Sequence, residues 1–349
     1  MEYIALGCMT GTSLDGIDCS LIKSNGTSKV TEISNDFTPY SKRLQKKLIN
    51  IIKDQFLDDI EVFELLNSEY QFAINNFISK NKIKVDVIGI HGQTIYHDTS
   101  LNLSIQLYDK KIKYNANAPI ICNFRKNDIL NGGSGAPIIP IYHQIIANQL
   151  KIEPVIFVNI GGVTNITIID EGQIKAGDSS FGNALINDFL ISKTNHEFDN
   201  NGNISKSGKK ITNLFDIIQE DRFFKKELPK SLDRNHFHYC LEEIKKDYLI
   251  EDILYTLLSI IPNSIKKIIN NKKKYKIILL GGGRKNLTLI KIFKEIFNNV
   301  NLIDDFNFDG DFIESQGMGL LAIRYLKKIP STYRTTTGVT KNIYLGETT

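Results

Sequence analysis

Hydrophobic and polar positions alternate with a period of two over residues 1 to about 35, which predicts two or three strands. From Leu44 to Ile78 the apolar residues recur at helical spacing, interrupted near Asp58-Asp59. Val85-Asp86-Val87-Ile88-Gly89-Ile90 reads as a buried strand, and it delivers the polar cluster His91-Gly92-Gln93-Thr94-Ile95-Tyr96-His97 to a loop. A further strand, polar tip and strand run from Pro154 to Ile169. Lys175 to Phe181 reads as a Gly/Ser loop, and the apolar spacing after it predicts a helix, so Asp178 is expected just outside a helix start. Glu251 to Ile269 is a long apolar-striped helix. Tyr275 to Leu280 is a buried strand ending in Gly281-Gly282-Gly283.

The breaks in these patterns carry the chemistry. Leu6-Gly7-Cys8-Met9-Thr10-Gly11-Thr12-Ser13-Leu14-Asp15-Gly16-Ile17-Asp18 predicts a hairpin whose tip is dense in backbone and hydroxyl donors. Such a tip suits phosphate: Gly7, Gly11 and Gly16 let the backbone approach an anion, Thr10, Thr12 and Ser13 add donors, and Asp15 and Asp18 suit Mg2+ held through water. An ordinary hairpin with a polar turn has the same pattern. Asn159-Ile160-Gly161-Gly162-Val163-Thr164-Asn165 repeats the motif in variant form, as a duplicated nucleotide clamp requires. The triple glycine lets a flat base or ribose lie on bare backbone, and a plain helix-leading turn reads the same way. Asp178, taken alone, is a cap or loop anchor.

With 349 residues, the chain is expected to form two domains, at roughly one per 150 residues. The Gly-rich, proline-flanked stretch Gly132 to Pro140 is a candidate crossing between them. A composition of 42% hydrophobic and 23% charged residues is that of a soluble globular protein. The 43 Lys+Arg against 39 Asp+Glu nearly balance, and basic runs such as Lys272-Lys273-Lys274 are short, so no nucleic-acid partner is expected. Cys8, Cys19, Cys122 and Cys240 form no CxxC and no signal peptide is expected ahead of the first strand, which fits reduced thiols in a cytoplasm. The six scattered histidines predict no structural metal, and no apolar run is long enough for a membrane span.

In order and spacing these motifs resemble the anhydro-N-acetylmuramic acid kinase family of the actin, hexokinase and heat-shock chaperone ATPase superfamily. The carriers are Gly7 to Asp18, His91 to His97, Phe124-Arg125 with Asp128, Gly132-Gly133-Ser134-Gly135-Ala136-Pro137, Asn159 to Asn165, Gly182-Asn183-Ala184-Leu185-Ile186, Pro229-Lys230-Ser231, Gly281 to Gly283 and Thr336-Thr337-Gly338-Val339. The resemblance implies an α/β protein of two RNase-H-like (actin-like ATPase) domains flanking a deep nucleotide and sugar cleft, with residues 1–128 plus 333–349 as one domain and 129–332 as the other. It implies a homodimer that uses ATP and Mg2+ to open 1,6-anhydro-N-acetylmuramic acid with water while O6 takes the γ-phosphoryl group. A kinase of the same fold acting on another amino sugar, or an ATP- or sugar-binding regulator without turnover, are the alternatives.

Carried over residue by residue, the resemblance makes Asp178 the base that activates water and Glu314 an acid that orients it. ATP and its phosphates fall to Gly11, Thr12, Ser13, Leu14, Asp15, Gly16, Ile17 and Asp18, to Asn159, Gly161, Gly162 and Asn165, and to Gly281, Gly282 and Gly283, with Asp15 and Asp18 for Mg2+. His91, Gln93, Arg125 and Asp128 fall to the sugar, Arg125 suiting the lactyl carboxylate through its planar guanidinium, and Lys230 suits phosphate. The family has Asp-Thr-Gly-Pro-Gly-Asn at the base, whereas this chain has Ser179-Ser180-Phe181 after Asp178. A positive φ at Ser180 would cost about 1 kcal/mol and reroute the loop. Leu232-Asp233 and Gly317-Met318-Gly319 are further departures.

Overall fold

The alternation at the start of the chain folds into an antiparallel meander of β1 (Tyr3–Met9), β2 (Gly16–Ser24) and β3 (Val30–Pro39). The helical spacing that follows becomes α1 (Lys42–Asp54) and α2 (Ile60–Asn81). The computed structural model describes residues 1–11, 13–54, 60–98, 101, 103–108, 114, 117–245, 247–269 and 274–348. Thr12, the interruption expected at Asp58-Asp59, and Lys272-Lys273 lie outside the described residues. Next come β4 (Val87–Ile90), β5 (Gln93–Asp98), β6 (Leu103–Leu107), β7 (Ile120–Cys122), α3 (Phe124–Leu130) and α4 (Pro140–Leu150). The middle of the chain forms β8 (Val155–Ile160), β9 (Val163–Asp170), β10 (Gln173–Phe181), α5 (Asn183–Lys193), α6 (Thr212–Gln219), α7 (Ile250–Ile269), β11 (Lys276–Leu280), α8 (Leu287–Ile296) and β12 (Val300–Leu302). It closes with α9 (Ile313–Leu326) and β13 (Glu347–Thr348). No helix among the described residues is long and apolar enough to cross a membrane.

Two compact units result, residues 1–150 with 312–349, and residues 151–311. The main sheet of the first runs β13-β7-β4-β1-β2-β3, and the sheet of the second runs β10-β9-β8-β11-β12. In each, a three-strand meander places its first strand centrally, and that strand takes a parallel neighbour on its other side: β4 beside β1, β11 beside β8. β13 apart, both sheets therefore read third, second, first, fourth, fifth. This repeated order is the duplicated RNase-H-like topology that the resemblance implies.

The division falls at 150/151 and 311/312, whereas the sequence expectation put it at 128/129 and 332/333, with Gly132 to Pro140 as the crossing. Two interactions account for the difference. Asp128, fully buried, accepts from the Gly135 amide at 2.8 Å and the Thr337 hydroxyl at 2.7 Å, which ties the Gly-rich stretch into the first unit. Helix α9 packs against β1, β2 and β4 and so belongs to the first unit as well. His91 to His97 also differs from expectation: from Gln93 on, the expected loop is β5, paired with β6 in a hairpin of its own.

Alternation along β1 and β2 sends their residues to two different layers. Leu6, Cys8, Ile17, Cys19 and Leu21 form one core with Leu44, Leu48, Leu66, Tyr70 and Phe77 of α1 and α2. The opposite face, with Gly7, Ser20 and Gly89, receives α9. A Cβ on Gly7 would overlap the Ser315 carbonyl and the Gly319 amide, one on Gly89 the Met318 carbonyl, while the Ser20 and Ser315 hydroxyls meet at 2.6 Å. Gly7 is thus explained by packing rather than by approach of an anion, and Gly16 likewise, since its Cβ would overlap the Thr38 carbonyl. The same contact explains Gly319, which lies against Ile22 of β2, while Gly317 lies against Ile139, just ahead of α4.

In the second unit, Ile156, Val158, Ile160, Ile166, Ile277 and Leu279 pack with Leu185 and Phe189 of α5, Leu254, Leu257 and Ile261 of α7, and Leu289 and Phe293 of α8. The other face of this sheet carries the candidate chemistry. Because the obstruction at Gly7 is backbone on both sides, Gly7→Ala is expected to cost roughly 2–4 kcal/mol in a urea titration. A loss below about 1 kcal/mol would mean that α9 backs away freely, contrary to this packing.

Candidate functional site

At the tip of the first hairpin the protein claims the backbone carbonyls. Gln93 Nε2 donates to the Gly11 carbonyl at 3.1 Å, Gln45 Nε2 to the Leu14 carbonyl at 3.0 Å, and the Tyr40 amide to the Asp15 carbonyl at 2.9 Å. A trans peptide points its C=O and N–H in opposite directions, so the Asp15 and Gly16 amides face away from these donors. Thr10 is buried, donating to the Gly92 carbonyl at 3.0 Å, which makes it a tie and not a ligand group. Leu14 sits in the left-handed region, φ 57°, with its side chain in the core. Ser13 donates to exposed Asp15 at 2.6 Å, Asp18 is half-buried opposite Met9, and Ile17 is core. Only Gly11 among the three glycines faces open space, apart from the Ser13 side chain.

Among the described residues no three His, Cys, Asp or Glu side chains converge as a metal cage. Two carboxylates on one hairpin, hard oxygen donors with one of them exposed, fit a Mg2+ ion that keeps its waters and takes further ligands from phosphate.

The residues matched to the sugar divide by what already holds them. Gln93 is fully buried, accepting from Tyr40 Oη at 3.1 Å and donating to Gly11 and Thr94 carbonyls. His91 is buried, with Nδ1 against the Gly92 carbonyl at 2.8 Å and Nε2 accepting from Arg125 Nε at 3.0 Å. Burial, and then the Arg125 charge, push its pKa down to about 3, so it is neutral at pH 7. Both ring nitrogens are therefore occupied within the fold, and Asp128 is committed to Gly135 and Thr337. Arg125, half-buried on α3, is the one of the four whose chemistry matches a carboxylate.

In the second unit, register aligns three polar side chains. Asn159 of β8 pairs with Asn165 of β9, which pairs with Asp178 of β10, so all three lie in a row on the face opposite the helical core. Beside Asn159, parallel β11 ends at Leu280 and turns through Gly281, whose φ of 75° and close approach to the Asn159 Oδ1 both require glycine. Gly283 packs on Ile160 while Gly282 is exposed. The Gly161 carbonyl accepts from the Asn183 amide at 2.8 Å and the Gly162 carbonyl from the Gly182 and Ala184 amides at 3.0 and 3.2 Å. These bonds cap α5 and, by the same trans geometry, turn the Gly162 and Val163 amides away from it.

Asp178 lies within β10 and not beside a helix start; the expected Gly/Ser loop is a strand because a bulge absorbs its irregular residue. Asp178 opposes Asn165 and Ser180 opposes Thr164, leaving Ser179 as the extra residue, its hydroxyl on the Thr164 carbonyl at 3.3 Å. Neither Ser179 nor Ser180 has a positive φ, so the feared strain is absent and the bulge, not a left-handed residue, re-aims the chain. The loop through Lys230 to Leu232 docks on this strand: the Asp178 amide donates to the Lys230 carbonyl at 2.8 Å, and Asp178 Oδ2 accepts from the Leu232 amide at 2.7 Å and the Ser231 hydroxyl at 3.3 Å. Gly177 permits the approach, since its Cβ would press on Lys230 backbone at 2.9 Å. At the Leu232 departure it is the backbone amide that bonds Asp178, a group every residue but proline supplies. Glu314, half-buried in the first turn of α9, belongs to the other unit and complements the helix N-terminus.

Two groups escaped the sequence reading of the site. Ser231 had no signal beyond its motif. Arg284 is buried and grips Asp304 through Nε at 2.8 Å and Nη2 at 3.0 Å, Asp311 through Nη1 at 2.7 Å, and the Gly281 carbonyl at 3.2 Å, which locks the triple-glycine turn.

Lys230 is buried, its Nζ on the Phe223 carbonyl at 3.0 Å and 4.3 Å above the Phe223 ring. Burial pushes its pKa from 10.5 down to about 8, although the Asp178 charge works in the other direction. Between pH 10.5 and about 8 the unfolded chain therefore binds a proton that the folded one does not, and stability falls as pH drops through that window, then levels off. Lys230→Met is expected to raise stability at neutral pH by about 1–3 kcal/mol, the gain over the parent protein shrinking toward zero as pH approaches the unfolded-state value. Melting curves across this range would contradict the burial account if the gain stayed constant.

With this geometry in place, comparison with known proteins identifies the chain. The family model described as "Anhydro-N-acetylmuramic acid kinase" matches residues 2–349. The chain is 37% identical to the anhydro-N-acetylmuramic acid kinase of Pelagibacter ubique, covering 97% of this chain and 96% of that protein. It is 32% identical to the enzyme of the same name from Zymomonas mobilis, over 96% of both chains. Family model and relatives alike span the motifs of both units, and the chain belongs to the anhydro-N-acetylmuramic acid kinase family.

Proposed function

We propose that Asp178 is the general base of an ATP-dependent reaction in which water opens the anhydro bridge of 1,6-anhydro-N-acetylmuramic acid and O6 receives the γ-phosphoryl group, giving N-acetylmuramic acid 6-phosphate. The observation that carries this reading is the aligned row of Asn159, Asn165 and Asp178 beside the Gly161-Gly162 tip, with Asp178 Oδ2 held by Leu232 and Ser231. A carboxylate fixed in this way suits proton abstraction from water attacking the anomeric carbon, as in an inverting glycosidase. As the C1–O6 bond breaks, O6 takes the electron pair and attacks the γ-phosphorus, ADP leaves, and the proton from water passes to Asp178. No separate acid is needed when phosphoryl transfer consumes the developing alkoxide.

The backbone amides of Asp15, Gly16, Gly162 and Val163, turned away from the groups that tie the neighbouring carbonyls, suit the phosphates of ATP, and the Gly281 to Gly283 turn suits its nucleoside. Asp15 and Asp18 are the residues to hold Mg2+, which supplies charge neutralisation on the transferred phosphoryl group. Arg125 meets the lactyl carboxylate, and His91 sets the angle of its guanidinium. Gln93 and Asp128 brace the segments around them. Glu314 orients the attacking water. The reading extends to a cytoplasmic homodimer, and the four buried, free cysteines suit a reducing compartment.

Asp178→Asn keeps the shape and removes the base, so ADP release with ATP, Mg2+ and 1,6-anhydro-N-acetylmuramic acid should fall about 10²–10⁴-fold while ATP binding persists. ADP release from N-acetylmuramic acid or N-acetylglucosamine in place of the anhydrosugar would replace the substrate, and ATP binding without turnover on any of them would point to a regulator.

A further inference from the structure

The loop that holds Asp178 continues beyond Leu232 into a short 3-10 turn, His236–Leu241. Phe237 anchors this turn in the core of the second unit, edge-on to Phe181 of β10 with ring centres 5.3 Å apart. Among the described residues, carboxylates on three segments fasten the chain on either side of Phe237. Asp178 of β10 accepts from Leu232 and Ser231, as above. Asp221 accepts from His236 Nε2 at 3.2 Å and from the Tyr239 hydroxyl at 2.7 Å. Asp188, half-buried on α5, bridges two residues with its two oxygens: Oδ1 accepts from Arg234 Nη2 at 3.1 Å and Oδ2 from His238 Nε2 at 3.0 Å.

The amides at the start of α5 take the Gly161 and Gly162 carbonyls, so this helix already fixes the tip that suits phosphate. Through Asp188 the same helix also fixes the loop that holds Asp178. Half-exposed ion pairs add little to stability, and Phe237 already anchors the turn, so what Asp188 contributes is the setting of the loop. The ring of His238 adds a condition. Its Nδ1 faces the Asn235 carbonyl at 3.1 Å and its Nε2 the Asp188 carboxylate, and both of these groups only accept. Making both bonds takes both ring protons; the neutral ring keeps one bond and gives up the other. The charged and titratable groups around this clamp are Asp188 of α5, Arg234 on the same carboxylate, and, on the turn itself, His236 and Tyr239 with their partner Asp221.

We propose that Asp188 is a positioning residue for the general base: through Arg234 and His238 it seats the loop that bonds Asp178 on the helix whose amides fix the Gly161-Gly162 tip. One rigid element then sets both the carboxylate that activates water and the backbone that receives phosphate. A misplacement of about 1 Å between reacting groups costs about 100-fold in rate, so the effect of the clamp is on turnover. The full clamp needs the doubly protonated ring of His238, so it is complete at lower pH and loses one bond as pH rises. This rests on the assignment of Asp178 as the base made above, and it adds a residue that acts through the loop rather than on a ligand.

The test is steady-state kinetics of the full-length protein with ATP, Mg2+ and 1,6-anhydro-N-acetylmuramic acid from about pH 6 to about pH 9, beside ligand-free melting curves. Expected for Asp188→Ala is a fall of about 10- to 100-fold in kcat, with KM for both substrates within about twofold and little change in melting temperature. Asp188→Asn keeps the shape and an acceptor for Arg234 but not one for His238, and its kcat should lie between those of Asp188→Ala and the parent protein. His238→Gln keeps one donor and cannot titrate, so its kcat should be lowered near neutral pH and decline less toward alkaline pH than that of the parent. A kcat for Asp188→Ala within about twofold of the parent would overturn the proposal, as would matched losses in kcat and substrate affinity with a lower melting temperature. An alkaline decline that survives His238→Gln at full size would belong to Lys230, whose pKa is about 8, and would overturn the role given to His238. A parent protein without turnover of the anhydrosugar, or an Asp178→Asn variant with the parent rate, would overturn the assignment of the base and this proposal with it.

Discussion

Each unit is built around a hairpin whose tip carbonyls are claimed by the protein's own donors. In the first, Gln93, Gln45 and the Tyr40 amide take the carbonyls of Gly11, Leu14 and Asp15; in the second, the opening amides of α5 take those of Gly161 and Gly162. Planar trans peptides then turn the intervening amides the other way. A donor surface for anions follows from where the carbonyls are tied, without any charged side chain having to supply it. This is why Gln93 and Thr10, buried and fully engaged, matter to the site without facing a ligand. It also explains why the two tips tolerate different sequences, Gly-Thr-Ser-Leu-Asp-Gly in one and Gly-Gly in the other, since the tying group sits on neighbouring elements.

The meander at the start, the two hairpins, the long helix after Glu251 and the strand before the triple glycine were legible because periodicity is a local property. What escaped was set by contacts between distant segments. Gly7 and Gly16 look like flexible tip glycines, yet each has backbone pressed against it, Ser315 and Gly319 for the one and Thr38 for the other. The unit boundary escaped for the same reason: Gly132 to Pro140 reads as a crossing until the bonds from Gly135 and from Thr337, 209 residues away in sequence, to Asp128 show it to be anchored in the first unit. Bulges were invisible as well. At Ser179 a bulge converts an expected loop into strand, and between Thr94 and Tyr96 another moves a histidine to a different face.

Among the candidate site residues, chemical type was readable and availability was not. His91 and His97 belong to one motif and carry the same side chain, but one has both nitrogens bonded and the other has both buried without partners among the described residues. Asp128 and Asp178 are likewise both carboxylates in motif positions. Asp128 is sealed between Gly135 and Thr337, whereas Asp178 is half-buried at the edge of its sheet with Oδ2 held by donors from a docked loop. A sequence motif marks the neighbourhood; hydrogen-bond bookkeeping decides which member faces a ligand and which holds it in place.

The loops themselves lie outside the strands and α-helices, and each is fixed by one buried polar group that bonds a loop backbone group three to seven residues away. Arg284 fixes the triple-glycine turn by bonding the Gly281 carbonyl while Asp304 and Asp311 neutralise it; Asp128 fixes the Gly-rich stretch after α3; Lys230 anchors the loop that holds Asp178 through the Phe223 carbonyl and ring. Burying such groups is unfavourable unless they are paired: Asp304 and Asp311 neutralise Arg284 and two donors satisfy Asp128, whereas Lys230 has the Phe223 carbonyl and ring, and burial lowers its pKa. The pairing has a consequence for binding. A loop already ordered in the ligand-free chain does not lose its conformational freedom when ligand arrives, so more of the contact energy remains for orienting the reacting groups. Buried ionic and polar ties of this kind are a modest source of net stability, and their value here lies in preorganised loops rather than in a more stable fold.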